Sequence, residues 1–121
     1  MSIPLLICDD SAMARKQVKR SLPEDWDVEV TMATNGVEGL EAIRAGQGEM
    51  VFLDLTMPEL DGYGVLQAIK KEGHKCIIIV ISADIQPEAR ERVMGLGALD
   101  FIKKPVDGKK LQDVLRKYGL I

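Results

Sequence analysis

The chain is poor in cysteine, in histidine and in long apolar runs. It holds two cysteines, Cys8 and Cys76, with no CxxC pair and no Cys/His cluster. A disulfide framework and a thiolate metal site are therefore both out of reach, and free thiols in the cytoplasm are the plain reading. No stretch approaches the ~20 apolar residues that a membrane-crossing helix needs. Met1-Ser2-Ile3-Pro4 lacks the basic region and long apolar stretch of a secretory signal. Positive charge is in deficit: 16 Lys and Arg face 19 Asp and Glu, for a net charge of −3. That balance argues against nucleic-acid binding through bulk electrostatics. Internal repeats, low-complexity tracts and linkers are missing too. Present instead are 121 residues, 46% of them hydrophobic. These suit one domain, residues 1–121, with a real core and no room for a second.

Strand-like and helix-like patterns alternate along the chain. Ile3 to Asp9 reads as a first strand, and Asp10 or Ser11 can cap the helix after it, in which Ala14, Val18 and Leu22 line one face. Val28, Val30 and Met32 alternate as a second strand. Val37, Leu40 and Ile43 mark a second helix, closed by Gly46 and Gly48. Met50 to Leu53 is a third strand; Leu66 and Ile69 sit on a third helix that Gly73 ends. Cys76 to Ile81 is the most apolar run, a fourth strand. Pro87 suits the first turn of a fourth helix, stopped by Gly95 and Gly97. Leu99 to Lys103 is a short fifth strand, and Leu111, Val114, Leu115 and Tyr118 face one way on a last helix.

Five βα units predict a parallel sheet with helices on both faces. The first, third and fourth strands are apolar on both faces and belong in the centre. The second and fifth are shorter or mixed and belong at the edges. This is the doubly wound α/β order 2-1-3-4-5 of the flavodoxin-like fold, with its ligand site outside the carboxyl ends of strands one and three. Cys8 and Cys76 then lie on strands separated by the third, too far apart to bridge.

Aspartates end two of the central runs. Leu5-Leu6-Ile7-Cys8 leads into Asp9-Asp10, and Val51-Phe52-Leu53 leads into Asp54. A carboxylate at the tip of a buried strand is costly unless compensated. Three together would make a hard, oxygen-rich anionic pocket suited to Mg²⁺ with a phosphoryl group beside it.

Further marks follow in order. Met57-Pro58 lies beyond Asp54, Asp61-Gly62 opens the third helix, Ser82-Ala83 follows the fourth strand, and Lys104-Pro105 follows the fifth. On these marks the chain resembles, over essentially its whole length, a receiver domain of a bacterial two-component response regulator of the stand-alone chemotaxis type. The resemblance implies that Asp54 is the phosphoacceptor. Asp9, Asp10, Asp54 and the backbone carbonyl of Thr56 would hold Mg²⁺. Ser82 would hydrogen-bond the phosphoryl group, which the small Ala83 lets the backbone approach. Lys104, the lysine directly before the proline, would pair with Asp54 and then with the phosphoryl group, through a cis Lys104-Pro105 bond. Lys103 would point to the opposite face. Phe101 would be the aromatic switch. Thr56 and Asp84 would flank the water that removes the phosphoryl group.

The implied partners are a sensor histidine kinase as donor and a protein target, such as a flagellar motor switch protein or a histidine phosphotransfer protein. The switched surface would be the fourth helix, fifth strand and fifth helix. The expected protein is a cytoplasmic monomer that binds neither nucleic acid nor membrane and catalyses only its own phosphorylation and dephosphorylation.

Plainer roles stand beside these. Asp54 or Asp10 could simply cap a helix, Ser82 could be a turn residue, and Phe101 a core aromatic. His74 reads as a solvated loop residue, Trp26 lies far from the pocket, and Lys109 and Lys110 cover a solvated helix face. A flavodoxin-like cofactor binder would need a Ser/Thr/Gly-rich loop where Asp9-Asp10-Ser11-Ala12 stands. A haloacid-dehalogenase-type phosphatase would need an acid where Thr56 stands. A phosphate sink, a phosphorelay carrier and a receiver-like scaffold without chemistry complete the alternatives.

Overall fold

The computed structural model describes residues 2–83 and 86–121. Among them five strands alternate with five helices: β1 (Ile3–Cys8), α1 (Ala12–Ser21), β2 (Val28–Ala33), α2 (Gly36–Arg44), β3 (Met50–Leu53), α3 (Gly62–Glu72), β4 (Ile77–Ser82), α4 (Pro87–Gly95), β5 (Asp100–Lys103) and α5 (Gly108–Lys117). The strands form one sheet of order β2-β1-β3-β4-β5, and every neighbouring pair is parallel. This is the order read from the apolar patterns.

Side-chain alternation divides the core in two. Leu6, Cys8, Val51, Leu53, Ile78 and Val80 face a layer that includes Leu40, Ile43, Val65, Leu66 and Val93 of α2, α3 and α4. Leu5, Ile7, Met50, Phe52, Ile79 and Ile81 face Val18 of α1 and Leu111 and Leu115 of α5. Both layers are sealed, so β1, β3 and β4 bury nearly every side chain.

Several local expectations shift. Val37 and Met32 are exposed, although α2 and β2 form as expected. Leu22 caps the C-terminus of α1 rather than lying on its face, yet still packs on the second core layer. β4 begins at Ile77, and β5 begins at Asp100.

Helix starts cluster at the carboxyl end of the sheet. Ser11, Asn35, Asp61 and Asp107 accept hydrogen bonds from the backbone N–H of Ala14, Glu38, Gly64 and Lys110. Each cap satisfies a donor the helix leaves open. Pro87 occupies the first turn of α4. No helix among the described residues is long and apolar enough to cross a membrane.

Candidate functional site

The parallel ladder continues one residue past the strands. Asp9 donates its N–H to the Ala33 carbonyl (3.1 Å), and Asp54 donates its N–H to the Cys8 carbonyl (2.9 Å). This backbone pairing sets the two acids side by side at the tips of β1 and β3. Asp9 is 3% exposed and Asp54 is 5% exposed, whereas Asp10 is exposed. Oxygens from all three carboxylates lie within 4.8 Å of one another.

Buried acids at this spacing need a counter-charge. Lys104 provides it: its Nζ donates to Asp9 Oδ2 at 2.8 Å and lies 3.4 Å from Asp54 Oδ1. The pairing expected with Asp54 is therefore shared, and Asp9 is the nearer partner. The Ser11 N–H donates to Asp9 Oδ1 at 2.9 Å. The Lys104 N–H donates to the Ser82 carbonyl at 2.9 Å, and the Lys104-Pro105 bond is cis. Lys103 is exposed and shares a groove with Phe101, Pro87 and Arg90, away from the acids.

The electrostatics of the pocket are lopsided. Burial pushes the Asp54 carboxyl up from its ordinary pKa, and the charge of Asp9 pushes it further, while Lys104 pulls it down without cancelling the rise. Burial works against the Lys104 ammonium, but the hydrogen bond to Asp9 and the charges of both acids outweigh it, so its pKa rises. The Cys8 thiol beneath them is pushed up to about 12, first by burial, then by Asp9, Asp54 and Glu38. It donates to the Asn35 carbonyl and lies 3.6 Å from Met57 Sδ, so it is packing material rather than a nucleophile.

The remaining predicted residues fall around this pocket. Ser82 is buried at the end of β4. Ala83 is exposed and, with Lys104, Pro105, Met13 and Ala14, lines a cavity of about 450 Å³. Phe101 is half-buried against the α2–α4 core layer. Thr56 is exposed two residues past Asp54. Asp84 lies outside the described residues. Ser11 caps α1, so Asp10 is relieved of that duty.

Sequence reading missed three arrangements. Arg15 donates from Nη1 to the Asp9 carbonyl at 2.7 Å. Asp100, 5% exposed, accepts from the Phe101 N–H (2.7 Å) and the Tyr118 hydroxyl (2.9 Å), and lies 3.5 Å from Arg90. An acid opening an apolar strand was the available signal. His74, expected to be solvated, sits 2.9 Å from Glu72, which Arg44 also holds from α2 at 2.6 Å. The Arg44 hydrogen bond, then that of His74, brings the Glu72 carboxyl down to about 2.

The loop after Asp54 carries strain. Leu60 donates its N–H to the Pro58 carbonyl at 2.8 Å, a three-residue turn that puts Glu59 at φ 68°. A left-handed φ costs a side-chain-bearing residue about 1–2 kcal/mol. Glycine removes that cost but adds about 0.4–1 kcal/mol of unfolded-state freedom. Glu59→Gly is thus expected to stabilise the fold by about 0.5–1 kcal/mol, seen as a raised thermal midpoint; a lowered midpoint would contradict it.

The donor set fits a hard divalent cation. Three carboxylates converge, the environment disfavours the charge on Asp54, and the third acid is open to solvent. The family model for the response regulator receiver domain matches residues 5–116. A protein-glutamate methylesterase/protein-glutamine glutaminase of Koribacter versatilis is 40% identical over 112 residues, which is 90% of this chain and 31% of that protein. The chain thus spans about a third of that relative's length. The response regulator domain of Thermotoga maritima CheB is similar in structure, with TM-score 0.82 and 26% identity over 100% of this chain and 98% of that one. So is a chain of the CheX-CheY-BeF3-Mg complex of Borrelia burgdorferi, with TM-score 0.83 and 30% identity over 94% of this chain and 87% of that one.

Proposed function

The chain belongs to the response regulator receiver domain family, and from that premise we propose that Asp54 accepts a phosphoryl group from the phosphohistidine of a sensor histidine kinase. One observation carries this reading: two buried carboxylates, Asp9 and Asp54, share a single ammonium, Lys104, at the open end of the sheet. That arrangement leaves the pocket short of positive charge. Asp9, Asp10, Asp54 and the Thr56 carbonyl would hold Mg²⁺, which when bound supplies the charge that offsets carboxylate repulsion and the incoming phosphoryl group.

An Asp54 carboxylate oxygen attacks phosphorus; the P–N bond to imidazole breaks and the leaving nitrogen keeps the electron pair. Lys104, already 3.4 Å from Asp54 Oδ1, stays beside the new acyl phosphate. Ser82 hydrogen-bonds a phosphoryl oxygen, and Ala83 leaves its backbone accessible. Water then cleaves the P–O bond, with Thr56 and Asp84 along its path, so the state is self-limiting. Residues 1–121 act as one receiver unit in the cytoplasm, catalysing only their own phosphorylation and dephosphorylation.

Output runs through α4, β5 and α5 to a protein partner of the motor-switch or phosphotransfer kind. Phe101 is the inward-moving ring in this scheme, and its half-buried place beside a groove lined by Gln86, Pro87 and Arg90 supports that role. The test is intact mass after incubation with Mg²⁺ and acetyl phosphate. Gain of one phosphoryl group by the native chain, and none by Asp54→Asn, is expected. Beryllofluoride binding covers the case of fast hydrolysis; failure of both assays would overturn the assignment.

A further inference from the structure

Asp9 is pinned on every side. Its N–H goes to Ala33, one carboxylate oxygen takes the Ser11 N–H, and the other takes the Lys104 ammonium. Its carbonyl takes the guanidinium of Arg15 at 2.7 Å. Asp10 differs: its carboxylate has no hydrogen-bond or ion-pair partner among the described residues. With no such partner holding the side chain, the place from which its carboxylate can reach the pocket is set by the backbone that carries it. The peptide plane joining Asp9 to Asp10 is the last rigid unit before it, and the oxygen of that plane is the atom Arg15 holds.

Arg15 is also out of place by local rules. It lies in the first turn of α1, where the helix dipole disfavours a cation, and that turn carries no acid. A residue that breaks a local rule is expected to be compensated by what it touches. Its charge is felt nearby: Arg15 helps hold the Glu38 carboxyl down, behind the Thr34 hydrogen bonds.

We propose that Arg15 is a positioning residue for the divalent-cation site, clamping the Asp9 carbonyl so that the Asp10 carboxylate stays aimed at the pocket. This rests on the receiver reading above. Two effects of the side chain oppose each other. A cation near the pocket repels Mg²⁺, so removing the charge should tighten binding if repulsion were all that mattered. Removing the clamp frees Asp10 and should weaken binding. Outer groups that orient metal ligands typically contribute about tenfold or more in affinity, so the clamp is expected to win.

The experiment is calorimetric titration of MgCl₂ into the native chain, Arg15→Met and Arg15→Lys, with thermal unfolding of each metal-free protein as the folding control. Arg15→Met is expected to bind Mg²⁺ about tenfold more weakly, and Arg15→Lys, which keeps a charged donor, to fall between it and the native chain. With acetyl phosphate, the Mg²⁺ concentration for half-maximal phosphorylation should rise by a similar factor while the rate at saturating Mg²⁺ holds. A merely structural role would not split the two.

Native-like or tighter binding by Arg15→Met overturns the proposal, as does a rate deficit that persists at saturating Mg²⁺ or a lysine variant no better than methionine. If Arg15→Met fails to fold, Arg15→Lys decides alone: weaker binding than native supports the clamp, and equal or tighter binding overturns it. Absence of Mg²⁺ binding by the native chain would instead overturn the receiver reading of the acids themselves.

Discussion

Asparagine at position 54 is expected to abolish phosphoryl gain and, in the metal-free protein at neutral pH, to make the fold more stable. The second effect follows from the net direction of the Asp54 shift. Burial and Asp9 together outweigh Lys104, so the folded pocket disfavours the charged carboxylate. An amide of the same shape removes that penalty. Lys104 is not orphaned, because its shorter contact, 2.8 Å, is with Asp9. Relieving an unfavourable buried charge is worth about 1–2 kcal/mol, or roughly 4–8 °C in thermal midpoint for a domain of this size.

The pH dependence has a definite sign. An acid whose folded pKa lies above its ordinary 3.8 binds protons more tightly when folded. Its contribution to stability is full below that ordinary value and is lost as pH rises through the folded pKa. The gap between Asp54→Asn and the native chain should therefore be small in acid and open on the way to neutrality. Added Mg²⁺ should narrow it by stabilising the native chain more. Thermal unfolding across that range, with and without Mg²⁺, checks all three. A native chain more stable than Asp54→Asn in metal-free buffer at neutral pH would contradict the electrostatic account while leaving the mass result to stand alone.

Alanine at position 62 is expected to damage fold and site together. Gly62 begins α3, and its N–H donates to the Leu55 carbonyl at 2.9 Å. A Cβ there would lie 2.8 Å from Leu55 Cα and collide with the backbone carbonyl oxygen of Asp54. Both are main-chain atoms on a buried strand end, so neither can swing away. Overpacking of this kind costs about 1–3 kcal/mol, and backbone on both sides places Gly62→Ala near the upper end. Relaxation would displace the Asp54 carbonyl and the start of the loop that carries Thr56. The expected result is a midpoint lowered by roughly 4–12 °C together with weaker Mg²⁺ binding. Gly64→Ala, which meets the movable Leu60 Cδ1 first, should be milder. Equal stability of Gly62→Ala and the native chain would show that the contact relaxes freely.

Much of the fold was legible because burial and periodicity are local signals. Runs such as Leu5-Leu6-Ile7-Cys8 and Val51-Phe52-Leu53 are apolar at every position, which only a central strand between two helix layers permits. An acid directly after such a run marks the carboxyl end of the sheet. The misplacements came where edges relax that demand. Met32 and Val37 carry apolar side chains at exposed positions, and an exposed apolar residue reads like a core one in sequence. Asp100 shows the converse. It is an acid at the start of an edge strand, and its burial depends on Tyr118 and Arg90 from two helices that sequence spacing does not bring together.

Sequence by itself determined the strand order, the end of the sheet where acids gather, and the candidates among them, because hydrophobic alternation and strand-terminal polarity are written residue by residue. Tertiary structure alone decided how the charges are shared. It brought Lys104 nearer to Asp9 than to Asp54, left Asp10 exposed while Ser11 took the cap, and carried Arg15 to the Asp9 carbonyl. Distances of this kind depend on where β5 and α1 sit against β1 and β3. Coulomb and hydrogen-bond energies change over the difference between the 2.8 Å contact of Lys104 with Asp9 and its 3.4 Å contact with Asp54, a scale that spacing along the chain does not encode.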